Sequence, residues 1–141
     1  MLIAADGSAF TRAAARFVVR QARELKSEPE VHVMHVHAPL PYAMAASVVG
    51  KKTVDDYHRA ESLKALKVAE KELEKAGLQY TSSWSTGDAA ERIARYAADK
   101  DIDVIVTGSH GHGALARLAL GSVATKLIAI SRVPVLIVPK R

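Results

Sequence analysis

Five strand-like runs alternate with four longer segments of helical character along the 141 residues, and this alternation restricts the chain to one class of fold. The runs are 2–5, 31–37, 78–85, 102–107 and 133–138. Each pair of consecutive runs is separated by enough chain for a crossover rather than a hairpin. Such strands run parallel in one sheet, and the intervening helices cover both of its faces. The pattern therefore predicts an α/β domain with a five-stranded parallel sheet. There is no internal repeat, low-complexity tract or linker, and both ends lie in strands. Residues 1–141 thus read as one complete domain, with 49% apolar residues to fill its core.

Local signals place the helices. Ser8 is suited to cap the first helix, whose apolar face is expected to hold Ala13, Phe17 and Leu25. Pro29 closes the turn that follows. After Pro39 the residues to about Lys52 read as an irregular loop. Thr53 and Asp56 have capping-box spacing for a helix from Val54 to Ala76. Leu63, Leu66, Ala69, Leu73 and Ala76 should face the core there, and Gly77 should end the helix. Asp88 and Glu91 suit the start of a short helix through Ala98, and Ser122 opens the last one.

The most informative segment for function follows the fourth strand. Gly108, Gly111 and the pair Gly121-Ser122 form the spacing G-x2-G-x9-G-S. A strand, a loop whose glycines let the backbone approach a ligand, and a helix N-terminus together suit phosphate, because free N–H groups and the helix dipole favour an anion. The string is neither a Walker A loop nor a complete G-x-G-x-x-G. Asp6-Gly7-Ser8 follows the first strand. If the first and fourth strands are neighbours with crossovers on opposite faces, both loops line one crevice at the carboxyl ends of the strands.

This spacing resembles the nucleotide-binding signature of the universal stress protein family, ATP-binding type. The likeness extends to the opening LIAADGS, the second strand VHVMHVHAP, Gly87-Asp88 before an Ala/Ile-patterned helix, and the closing VPVLIVP. It implies strand order 3-2-1-4-5 in a Rossmann-like, adenine nucleotide alpha hydrolase-like fold. It also implies a site for ATP or AMP built from Ala5, Asp6, Gly7, Val36, Gly108, Ser109, Gly111, His112, Gly121, Ser122 and Val123. Asp6 is expected to keep its carboxylate free for ribose or base while Ser8 caps the helix. Val36 is expected to flank the base. Mg2+, if bound, would be held chiefly by the phosphates, with Asp6 or Ser122 as the protein partner. Arg117 is a candidate for a terminal phosphate, or else a solvated helix charge. In the implied strand order the apolar run Val135–Val138 is an edge, and pairing with a second copy would cover it in a homodimer.

Other chemistry finds little support. There is no cysteine, which fits a reducing cytoplasm, and no leader-like or membrane-spanning stretch. The net charge of +5 is spread among acidic residues, with only Lys51-Lys52 and Lys140-Arg141 adjacent, and reads as a solvated basic surface. Aromatic residues are 5% of the chain, which argues against a stacking platform for nucleic acid. Of the histidines in the second strand, His35 and His37 share a face and His32 points away, so no metal site is expected. No nucleophile elbow, paired carboxylate or positioned base is visible. The chain thus reads as a cytoplasmic nucleotide-binding stress sensor or regulator, with a partner protein whose identity the sequence leaves open. Three alternatives stay open. They are a slow ATPase or phosphotransfer enzyme at the same site, a nucleotide-free interaction module, and a nucleotide-dependent enzyme of the wider adenine-binding α/β group, for which no acid, base or Lys is found in the crevice.

Overall fold

The computed structural model describes residues 1–39, 51–112 and 120–140. Its elements are β1 (Leu2–Ala5), α1 (Ala9–Glu24), β2 (Val31–His37), α2 (Lys51–Lys75), β3 (Tyr80–Thr86), α3 (Ala89–Asp99), β4 (Ile105–Gly108), α4 (Ser122–Ile130) and β5 (Val135–Val138). The sheet has the order β3-β2-β1-β4-β5, and every neighbouring pair is parallel. β1 lies at the centre, with Leu2 opposite both His32 and Ile105.

Alternation along the strands divides the core. Ile3, Ala5, Val31, Val33 and Val106 pack with α1 and α2 on one face. Leu2, Ala4, Met34, Val36 and Ile105 pack with α3 and α4 on the other. All four residues of β1 are buried, as expected for a strand covered on both sides. The chain leaves β1 toward β2 through α1 and returns to β4 on the other side of β1, across the opposite face. The switch point therefore lies at the carboxyl ends of β1 and β4.

The helices depart from the expected faces in instructive ways. α1 buries Thr11, Ala14, Ala15 and Val18, with Ala13 and Phe17 half-buried beside them. Leu25 lies beyond the helix in extended backbone and is 47% exposed. α2 already includes Lys51, so Thr53 is inside the helix and does not cap it. Its buried stripe runs through Ser62, Ala65, Leu66, Ala69 and Leu73, and Leu63, one residue round from Ser62, points to solvent. Gly77 (φ 72°) ends α2 as expected, with Leu78 N–H donating to Leu73 O and Gly77 N–H to Glu74 O. Asp88 caps α3 by accepting from Glu91 N–H at 3.0 Å. β3, β4 and β5 each begin two or three residues later than the sequence suggests. Among the described residues no helix is long and apolar enough to cross a membrane.

Candidate functional site

Thr11 organises the turn after β1. Its Oγ1 accepts from the backbone N–H of Asp6 (2.9 Å) and Gly7 (3.2 Å) and donates to Asp6 Oδ1 (2.7 Å). Ser8 N–H also donates to Asp6 Oδ1, at 2.9 Å. Ser8 Oγ caps α1 as expected, accepting from the N–H of Phe10 and Thr11. Gly7 takes φ +82°, and a Cβ there would come within 2.9 Å of Ala65 Cα, so the turn lies hard against α2. The other Asp6 oxygen, Oδ2, accepts from His112 N–H at 3.2 Å. The carboxylate is thus engaged at both oxygens, not free as expected. Burial works to raise its pKa, but hydrogen bonds from Ser8 and Thr11 outweigh this and hold it below the usual aspartate value.

The loop after β4 is tied by backbone. Ser109 N–H donates to Val138 O (3.0 Å), and Gly121 N–H donates to Ser109 O (2.7 Å). Its glycines differ in what surrounds them. A Cβ on Gly108 would strike Phe10 of α1, and one on Gly111 would strike Asp6 Oδ2. One on Gly121 would sit 3.2 Å from His110 Cα, a tight contact that asks the loop backbone to give by a few tenths of an ångström. Gly121, and not Ser122, is the N-cap of α4, and no side chain caps this helix. Thr125 N–H is the first to bond back, to Gly121 O. The N–H groups of Ser122, Val123 and Ala124 have no acceptor within the helix and concentrate its positive dipole end.

These two segments bound a cavity of about 350 Å³, a size suited to a small-molecule ligand. Of the candidates, Ala5, Asp6, Val36, Gly108, Gly111, His112, Gly121, Ser122 and Val123 line it. Gly7 and Ser109 do not: Gly7 is turned to α2, and Ser109 is buried in the ladder to β5. Arg117 lies outside the described residues, as does most of the loop expected before Lys52. Thr11 and Thr107, which the sequence reading missed, add polar lining together with His110 of the glycine loop, and Ala4, Ala89, Ile93 and Ala124, also missed, add apolar wall. The i, i+4 pair Ala89 and Ile93 just after the Asp88 cap was a legible signal for that wall.

The histidines fall as the strand alternation predicts. His32 bonds Tyr96 Oη and Glu30 on the α3 side, while the rings of His35 and His37 lie 6.2 Å apart on the other. His35 Nδ1 donates to Ala5 O at 2.7 Å. Burial holds the His35 pKa below its usual value, with His37 and His112 adding repulsion; the Ala5 hydrogen bond and the Asp6 charge oppose this. His58 of α2, which the sequence did not single out, packs on His37 at 4.5 Å between ring centroids. Among the described residues no group of three or more His, Asp or Glu side chains is placed to hold a metal ion.

A doubly wound parallel sheet with a cavity at its switch point, between an ordered aspartate and the N-terminus of α4, defines an α/β domain of the Rossmann-like class. The universal stress protein family model matches residues 1–139, and the chain belongs to that family. It is 32% identical over 145 residues to universal stress protein YxiE of Bacillus subtilis, spanning 98% of this chain and 97% of that one. Its fold matches the solved structure of MJ0577 of Methanocaldococcus jannaschii with a TM-score of 0.81 at 26% identity, over 99% of this chain and 95% of that one. The Archaeoglobus fulgidus universal stress protein, solved in complex with dAMP, shares the fold with a TM-score of 0.63 at 22% identity, over 97% and 94% of the two chains. An Arabidopsis thaliana member with AMP bound does so with a TM-score of 0.69 at 15% identity, over 99% and 91%.

Proposed function

We propose that this chain binds an adenine nucleotide, ATP or AMP, in the switch-point cavity and acts as a cytoplasmic nucleotide-dependent regulator in the stress response. The observation that carries this reading is the start of α4, which no side chain caps among the described residues and whose first residues line the cavity across from Asp6. The adenine nucleotides bound by family members of the same fold support it. Phosphate would lie at Gly121, Ser122 and Val123, and the apolar wall of Val36, Ala89 and Ile93 would take the base. Asp6 fits magnesium poorly, because both its oxygens already accept hydrogen bonds. A magnesium ion would therefore travel on the phosphates. Binding and not turnover is the expected activity, with hydrolysis at most slow.

Calorimetry with AMP and ATP tests this, comparing wild type with Gly121→Val. The dihedrals at Gly121 (φ −69°, ψ 158°) accept valine, so the variant should fold while its branched side chain displaces the loop at His110. Loss of at least tenfold in affinity is expected. Wild-type affinity in a folded variant would overturn the reading. The edge position of β5 further supports a homodimer through Val135–Val138. Light scattering at micromolar concentration should give a dimeric mass, and Ile137→Lys should halve it.

A further inference from the structure

The charges of α2 are sorted by direction. Glu70 and Glu74 turn to the β3 edge, where Ser82 Oγ donates to Glu70 (2.6 Å) and Tyr80 Oη donates to Glu74 (2.7 Å). Lys64, Lys67, Lys71 and Lys75 recur at i, i+3, i+7 and i+11 and turn toward α1 instead. From α1, Arg12 and Arg16 face them one turn apart. Together they line a groove of about 500 Å³ between the two helices, on the opposite side of the sheet from α3 and α4. Its lining holds six cations and one carboxylate, an excess equal to the +5 net charge of the whole chain.

That carboxylate is already committed. Glu72 is only 13% exposed and pairs with Arg16 at 2.9 Å and Arg12 at 3.9 Å. The Arg16 hydrogen bond holds its pKa below the usual glutamate value. Lys64 has Glu61 at 2.6 Å. Lys67 and Lys71 have no ion-pair partner among the described residues, and they stand four residues apart, a like-charge spacing that costs helix stability. Six of the twenty basic residues, dispersed along the sequence, therefore converge on one solvent-exposed groove.

We infer that this groove docks a carboxylate-rich segment of a partner protein. The charge excess favours an anionic occupant. A trough between two helices suits a single polypeptide segment better than a flat bilayer or a broad duplex. Its lining has Val68 as its one apolar side chain and no aromatic ring, so it offers a single nucleic-acid strand nothing to stack on. From Lys64 to Lys75 the stripe is about 16 Å long, the length of roughly five extended residues. The inference is independent of the nucleotide site.

The test is fluorescence anisotropy of the full chain with a labelled peptide of eight glutamates, at low and near-physiological salt. The peptide should bind, more weakly as salt rises. Lys67→Glu with Lys71→Glu should weaken it at least tenfold. An equal charge reversal on the far face, Arg95→Glu with Lys100→Glu, should change it less than twofold. Lys67→Ala with Lys71→Ala replaces the reversal if that pair disturbs the circular dichroism spectrum, with at least a threefold loss expected. No binding at low salt, or equal loss from both faces, overturns the inference. So does tighter binding, through the same lysines, of labelled oligothymidylate or phosphatidylserine vesicles.

Discussion

The turn after β1 and the loop after β4 face each other across one cavity, but side chains hold the first and backbone holds the second. In the turn, Thr11 and Ser8 satisfy the N–H groups around Asp6 and cap α1. In the loop, Gly121 bonds to Ser109 through main-chain atoms, and the helix that follows has no side-chain cap. One side of the cavity is therefore internally satisfied before any ligand arrives. On the other, the N–H groups of Ser122, Val123 and Ala124 have no acceptor within α4, the arrangement that suits an anion. Gly111 joins the two, since only a residue without Cβ lets the loop come so close to Asp6.

The sharpest way to break this comparison is within the glycine motif itself. Gly108 and Gly121 share the signature but not the surroundings: a Cβ at Gly108 runs into Phe10, whereas one at Gly121 meets its nearest neighbour, His110 Cα, at 3.2 Å. Gly108→Val should destabilise the fold by about 3 kcal/mol, as overpacking against a helix does. Gly121→Val should cost well under half of that in urea denaturation while losing nucleotide affinity. Equal losses of stability would show that the whole motif is packing chemistry.

That contrast also marks what the sequence could reveal. β1 and β2 were legible to the residue, because apolar runs buried in a sheet leave little freedom of register. The glycine loop was legible as a spacing. Its division of labour was not, since that depends on Phe10 and Asp6, about one hundred residues away in the chain. Leu25 was misread because α1 ends at Glu24, one residue before it, and Leu63 because the buried stripe of α2 includes a polar letter, Ser62, which no hydrophobic pattern selects. Thr11 was overlooked at the site for the same reason. The basic groove was invisible because Arg12 and Arg16 meet Lys64 and Lys67 only after folding.

A second, smaller effect sharpens the difference between the two sides. Thr11→Val keeps the shape of a residue that is 2% exposed but removes the acceptor for two N–H groups and a donor to Asp6. The loss should be about 2 kcal/mol, the scale of leaving buried polar groups unpaired. Ser122→Ala, on the other side of the cavity, should stay within about 0.5 kcal/mol, because Ser122 is exposed and is not a cap. A Ser122→Ala loss as large as that of Thr11→Val would mean that side chains hold both sides.

The smallest expected effect is in the pH dependence, and it too belongs to the β1 side. Asp6 and His35 both have native pKa values below their ordinary ones, 3.8 and 6.5. In each case the unfolded chain takes up the proton first, so acid favours unfolding. For His35, burial favours the neutral ring, and the stabilisation is complete above about pH 6.5 and is lost as pH falls from there through the native value. For Asp6, hydrogen bonds to the carboxylate outweigh burial, and the stabilisation is complete above about pH 3.8 and is lost below it through the native value. Stability should therefore decline in two steps on acidification. His35→Gln can still donate to Ala5 O but cannot titrate, and should flatten the upper step alone. Asp6→Asn should reduce the lower step, to which Glu72 and Asp88 also contribute, at the cost of a general loss of stability. Urea midpoints measured across the pH range read both. An upper step that survives in His35→Gln would place the titration on another group and detach it from the β1 turn.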